Sequence, residues 1–230
     1  MKKPLKKILV LIAGIAGALL VTVLLAAFFW FSTEAGQQWW KTKMHPPAVE
    51  KPVVYFYPKE RTDVTVVFAA PGSLTVSYPE YRDGWSFTAA PDGTLECEGK
   101  EYPYLYYETS AAVGFGERGF TVPRGETVRF LEEKLAAMGF NRREATDFIT
   151  YWLPRLEANE CNRIEFVTGE EADALVPLKI TPEPDSILRV FMIFAPCDGT
   201  LELEPQVLPV LSREGFTVLE WGGVELSGGR

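Results

Sequence analysis

Between Lys51 and Glu108 the chain sets its strand-forming runs so close together that no crossover helix fits between neighbours. Residues 53–57 (VVYFY), 63–68 (DVTVVF), 74–78 (LTVSY), 85–88 (WSFT) and 102–108 (YPYLYYE) are β-branched or aromatic. Pro71-Gly72, Asp83-Gly84 and Asp92-Gly93 stand between them as turn dipeptides, because glycine accepts the positive φ that tight turns require. A parallel connection needs a long crossover. This half is therefore expected to fold as consecutive antiparallel strands, a meander or part of a sandwich.

The period changes after Gly125. In GETVRFLEEKLAAMGF, Val128, Leu131, Leu135 and Met138 recur at three- and four-residue steps, which line up one apolar stripe on a helix closed by Gly139. Asn141 then opens a second helix, with Glu144 placed for a capping box. Ala145, Phe148, Ile149, Trp152 and Leu156 form its stripe, and Pro154 is expected to kink or end it. Strands resume at 163–168, 178–181, 187–195, 201–206 and 216–221. The run 187–195 (ILRVFMIFA) is almost continuously apolar, as in a strand covered on both faces, and is the expected central strand. The order predicts an α+β class: a mainly antiparallel β-sheet or sandwich with a helical hairpin, at about 126–158, packed on it.

The N-terminal end reads differently. Lys2, Lys3, Lys6 and Lys7 precede residues 8–31, ILVLIAGIAGALLVTVLLAAFFWF, which carry no charge. As one helix this run would be about 36 Å long, enough for a hydrocarbon core of about 30 Å. The expectation is a cytoplasmic basic tail (1–7), a transmembrane anchor (8–31), a juxtamembrane linker (32–50) with Trp39 and Trp40 at the membrane interface, and an extracytoplasmic α+β domain (51–230). The chain would then be a single-pass protein of a bacterial cell membrane, contacting the membrane through 8–31. Cys97, Cys161 and Cys197 allow one disulfide with one thiol left over, or three buried thiols, and the sequence does not choose the pair.

Charge and residue types narrow the chemistry. The formal charge is -8, although the first 44 residues hold six lysines against one glutamate, so the acidity lies in the remainder. That argues against a nucleic-acid partner, which needs a dense cationic face. The single histidine, His45, lies in the linker, so the folded domain offers no imidazole for a triad or a zinc site. No nucleophile elbow, P-loop, dinucleotide fingerprint or calcium loop occurs, and no metal or cofactor is expected. An enzyme built from these residues would depend on carboxylates, as glycosidases do. Glu80, Asp83, Glu108 and Glu220 are the candidate acids, and Tyr81, Trp85, Tyr104, Tyr106 and Trp221 the candidate ligand-binding aromatics. On one continuous strand, Tyr102, Tyr104, Tyr106 and Glu108 would share a face, either as an aromatic platform or as core. In SYPEYRDGWSF, convergence of Glu80 and Trp85 with Glu108 or Trp221 would indicate a site. Pairing of Arg82 with Glu80 and burial of Trp85 would indicate a turn.

The blocks KPVVYFYP, YPEYRDGW, YWLP, LRVFM and GFTVLEWGG together resemble a family of bacterial extracytoplasmic proteins, some surface-attached, without an assigned activity. The resemblance covers 51 to about 223 and implies one portable unit. The expected function is a binding or interaction module at the cell envelope, its partner an envelope protein or a neutral glycan. The alternatives are a carboxylate-dependent envelope hydrolase acting on a glycan, and a scaffold for a membrane complex.

Overall fold

The computed structural model describes residues 17, 19–24, 26, 28, 30, 32, 33, 36, 37, 48–69, 74–199 and 201–226. The chain divides into two compact units, Met1–Pro46 and Pro47–Arg230.

In the first unit the described residues from 17 to 30 are helical. No helix among the described residues is long and apolar enough to cross a membrane. This overturns the expected transmembrane anchor at 8–31, and with it the single-pass placement of 1–7 inside and 32–230 outside. Hydropathy sets only the length a span could reach; crossing requires one uninterrupted apolar helix of about 20 residues. Trp39, Trp40 and His45 lie outside the described residues.

The second unit is mostly β-sheet. In chain order its elements are β1 (Ala48–Tyr57), β2 (Thr62–Phe68), β3 (Leu74–Tyr78), β4 (Trp85–Ala89), β5 (Leu95–Cys97), β6 (Lys100–Tyr102), β7 (Leu105–Ser110), β8 (Phe120–Pro123), α1 (Thr127–Ala137), α2 (Arg142–Leu156), β9 (Cys161–Thr168), α3 (Gly169–Leu175), β10 (Leu178–Thr181), β11 (Ser186–Pro196) and β12 (Thr217–Glu225). A seven-stranded sheet runs β3-β7-β1-β12-β11-β9-β8, and a five-stranded sheet runs β10-β2-β4-β5-β6. Every neighbouring pair is antiparallel except β11 with β12.

Two cores give three layers. Val54 and Phe56 of β1 and Phe191 and Ile193 of β11 meet Val64, Val66, Trp85 and Phe87 of the smaller sheet. The alternate residues, Val53, Tyr55, Val190, Met192 and Phe194, face the α1–α2 hairpin and meet Leu131, Leu135, Phe148 and Trp152. The alternation follows from the period of two in a strand. It explains why the 187–195 run is almost continuously apolar: β11 is covered on both faces, next to β12, which holds the middle place. Gly223 of β12 lets the hairpin approach, since a Cβ there would stand 2.6 Å from the Trp152 ring and 2.7 Å from the Met192 carbonyl oxygen.

Helix details follow local chemistry. Asn141 and Glu144 form the capping box, the Asn141 side chain accepting from Glu144 N and the Glu144 carboxylate from Asn141 N. Pro154 sits in the last turn of α2 without ending it. On α1 the buried face holds Thr127, Leu131 and Leu135, while Val128 is exposed.

Strand pairing departs from the simple meander. Asp92-Gly93 does close a hairpin, with Ala89 opposite Leu95. Asp83-Gly84 does not, because β3 and β4 belong to different sheets. The 102–108 run is also divided: Tyr102 ends β6 in the small sheet and Leu105 begins β7 in the large one. Pro103 lacks the N–H that a continuous ladder would use. Residues 201–206 form no strand and contribute a single bridge, Arg118 to Glu204.

Candidate functional site

The expected site residues fall into three separate settings. Around the β3–β4 connection, Arg82 lies 3.4 Å from Glu80 and 3.2 Å from Glu98, and all three side chains are exposed. Asp83 is exposed as well. Trp85 is 2% exposed and donates from Nε1 to the Pro79 carbonyl at 2.8 Å. Tyr81 packs on Phe68 and Trp85, and its hydroxyl accepts from Phe68 N. SYPEYRDGWSF is therefore a connection between two sheets, pinned by a buried tryptophan.

Glu220 occupies the second setting, at 1% exposure inside the sandwich. It accepts from Arg189 Nε and, at 2.6 Å, from the Tyr107 hydroxyl. Arg189 spends its other donors on Asp173 (3.0 Å) and the Val176 carbonyl (2.8 Å). Burial works against the guanidinium charge, but Glu220, Tyr107 and Asp173 together outweigh it and Arg189 is held more firmly protonated than usual. Burial and then the Glu220 charge push the Tyr107 phenol far up. Every strong hydrogen-bonding group in this cluster is already engaged within the protein. An open cleft of about 730 Å³ nearby is lined by Asp173, Lys179, Glu183 and Arg189, but its innermost cation, Arg189, is thus committed. Trp221, next along β12, points the other way into the hairpin core and is fully buried against Phe148.

The third setting brings several residues together. Beside α2, the hairpin-side face of β7 and β1 carries a half-buried row: Tyr104, Tyr106 and Glu108. Tyr106 donates its hydroxyl to Glu108 Oε1 at 2.5 Å. Register places Tyr78 of β3 opposite Tyr106, and Val76 opposite Glu108. Tyr78 is 62% exposed, so the shelf continues to the sheet edge. Tyr151 of α2 bounds the other side.

Lys51 stands in the middle of this shelf. Its ammonium lies 5.4 Å from the Tyr104 ring centre, 4.9 Å from Tyr106 and 5.8 Å from Tyr151, distances at which a cation is attracted to an aromatic face. It reaches there because β1 is bulged between Glu50 and Val53, with Lys51 at φ +55. Bulges re-aim side chains in this way. Next to it, Glu50 Oε2 accepts from Arg155 Nη1 at 2.5 Å and from the Tyr151 hydroxyl at 3.3 Å. Burial, then the bond to Glu108, raises Tyr106, and burial raises Tyr151. Both phenols remain hydrogen-bond donors at neutral pH.

The shelf therefore combines open aromatic surface with two carboxylates and two cations. Of the expected ligand-binding aromatics it gathers Tyr104 and Tyr106, and of the acids Glu108. It adds Tyr78, Glu50, Lys51, Tyr151 and Arg155. Tyr151 and Arg155 had one sequence signal: they lie four residues apart on α2, flanking the Phe148–Trp152–Leu156 stripe. Lys51 had none, since a bulge with a left-handed lysine follows no pattern. Among the described residues, no group of three or more His, Cys, Asp or Glu side chains is arranged to hold a metal ion.

Fold and shelf together define a β-rich domain of two facing sheets with a helical hairpin and a surface aromatic site. The chain is similar to an uncharacterised protein of the bglA 3′ region of Butyrivibrio fibrisolvens, 39% identical over 61 residues; the match covers 25% of this chain and 64% of that protein. The chain thus spans under two thirds of that relative's length. No family model matches the chain, and no solved structure matches it.

Proposed function

We propose that the chain is a non-catalytic binding module whose ligand is a neutral glycan, held on the shelf formed by Tyr78, Tyr104, Tyr106 and Glu108. The supporting observation is the composition of that shelf. Aromatic faces suit the apolar faces of sugar rings, while Glu108 and Lys51 can accept from and donate to hydroxyl groups. Glu50 and Glu108 are matched by Lys51 and Arg155, so the shelf has no net charge and favours a neutral ligand over an ionic one. A hydrolytic reading that relies on Glu220 conflicts with the sealed ion pair that residue makes with Arg189.

Binding of soluble neutral oligosaccharides, followed by calorimetry or by NMR of the chain, tests this. Removing one stacking ring should cost about 0.5–1.5 kcal/mol, or about 2- to 10-fold in Kd. Tyr78→Ala and Tyr106→Ala should each weaken binding to that extent, while Glu80→Gln and Asp83→Asn leave it unchanged. Wild-type affinity in both tyrosine variants would remove the shelf from the reading. Release of new reducing ends during the incubation would refute its non-catalytic part.

A further inference from the structure

Cys161 and Cys197 lie 36 positions apart in sequence, and their sulfurs stand 3.0 Å from each other. Their placement is set by the sheet. Asn162 of β9 is opposite Pro196 of β11, and continuing that register by one residue puts Cys161 opposite Cys197. The Cys197 N–H donates to the Cys161 carbonyl at 3.0 Å, which holds the two backbones together at this point. Directly opposite residues of antiparallel strands have Cα atoms about 4.5–5.5 Å apart, inside the range of about 4.4–6.8 Å that a disulfide spans. Cys97 is elsewhere, on β5 of the other sheet, with its thiol near the Ser86 carbonyl.

We propose that Cys161 and Cys197 form a reversible dithiol–disulfide pair, with Cys97 remaining a free thiol. Cys161 is buried, whereas Cys197 is half-exposed. Burial, and then the neighbouring Cys197 thiol, push the Cys161 thiol up to about 12. The accessible Cys197 is therefore the sulfur that meets an oxidant first. With a small-molecule disulfide as oxidant, the Cys197 thiolate attacks one of its sulfurs. A mixed disulfide forms and one thiolate leaves. Cys161 then gives up its proton and attacks the Cys197 sulfur, expelling the second thiolate. Two protein thiols lose two electrons and two protons in total, and the small disulfide is reduced to two thiols.

The bond would sit where the chain leaves β11 for the long connection to β12. Leu211 N in that connection donates to the Met138 carbonyl and so ties it to the α1–α2 turn. Oxidation would add a covalent tie between the connection's other end and β9, and reduction would leave the Cys197 N–H to Cys161 carbonyl bond as the link there.

The test uses the folded full chain, reduced and then treated with oxidised glutathione. Thiol titration should fall from three groups to one, and non-reducing peptide mapping should give a Cys161–Cys197 cross-link lighter by two hydrogens. Cys97→Ser should keep that cross-link. Cys161→Ser should stop at a stable glutathione adduct on Cys197, and Cys197→Ser should lose the cross-link, so either variant suffices should the other not fold. Retention of all three thiols by the wild-type chain, or a cross-link containing Cys97, would overturn the proposal.

Discussion

Arg189 is the residue whose removal should cost the chain most per atom, and the expected size can be worked from its partners. Its side chain is 4% exposed, that of Glu220 1%, and four hydrogen bonds tie Arg189, Glu220, Tyr107, Asp173 and the Val176 carbonyl together. Arg189→Met removes one charge and leaves Glu220 buried with only a phenol to stabilise it. Breaking a buried pair from one side costs about 3–5 kcal/mol, because the survivor remains desolvated. Such a loss is a large fraction of the roughly 5–15 kcal/mol that holds a domain together. Removing the whole cluster should behave differently. The combined variant Arg189→Met, Tyr107→Phe, Glu220→Leu leaves no buried charge or orphaned hydroxyl, only the Val176 carbonyl without its Arg189 donor, and replacements of this kind are often neutral or stabilising by about 1–4 kcal/mol. Urea unfolding followed by tryptophan fluorescence reads both, since Trp85, Trp152 and Trp221 are buried. The single variant should lose about 3–5 kcal/mol and the triple variant should recover most of that loss. A single-variant loss below about 1 kcal/mol, or single effects that simply add in the triple, would refute the claim that this pair is sealed and mutually dependent.

Gly223→Ala should destabilise the second unit by about 1–3 kcal/mol through overpacking, since its Cβ meets the Met192 carbonyl and the Trp152 ring; an unchanged urea midpoint would show that the hairpin can retreat at no cost. Asn141→Ala should lose about 1 kcal/mol with the capping box, measured in the same way, and Asn141→Asp should retain most of it. Glu165 is held above the ordinary carboxylate range by burial, against the opposing effect of the Gly116 N–H. With the folded value raised, its favourable contribution is present below the unfolded value and is lost as pH rises through the folded one. Stability of Glu165→Gln relative to wild type should thus increase with pH across and just above the carboxylate range, and a pH-independent difference would show that Glu165 ionises as freely folded as unfolded.

Where the sequence was a reliable guide, local chemistry alone decided the outcome. The capping box at Asn141, the apolar stripe of α2 and the Asp92-Gly93 hairpin all depend on residues within a turn or two of each other. The almost continuous apolar run of β11 also pointed to a strand covered on both faces, since a strand with one wet face would alternate. The failures required information from distant parts of the chain. Nothing in 74–88 tells β3 to join one sheet and β4 the other; that choice rests on β3 finding β7 and β4 finding β2. β11 and β12 are parallel, and the described residues of their connection hold no helix, so the usual periodic signal of a crossover is absent. The uncharged run at 8–31 specified apolarity, but among the described residues no helix is long and apolar enough to cross a membrane.

The candidate site was legible by the same division. Tyr104, Tyr106 and Glu108 could be picked out because alternate residues on a strand share a face, and Tyr106 and Glu108 keep that relation in β7. Their neighbours come from β3, the β1 bulge and α2, and only the assembled sheet edge brings these together. The bulge matters most. Without the extra residues between Glu50 and Val53, a regular β1 would run past Tyr106 in unbroken register and Lys51 would not be re-aimed over three rings. A left-handed lysine is uncommon, costs about 1–3 kcal/mol and persists only where its surroundings fix it. Here the fixing groups are Tyr104, Tyr106 and Tyr151. The same three rings therefore hold the strained backbone and line the shelf. Lys51→Gly should relieve the strain while removing the shelf's central cation. If the shelf is a binding surface, that variant will be at least as stable as wild type in urea yet bind its glycan more weakly. If the cage is only structural, the variant will lose stability as the rings lose their cation, and glycan binding will not change.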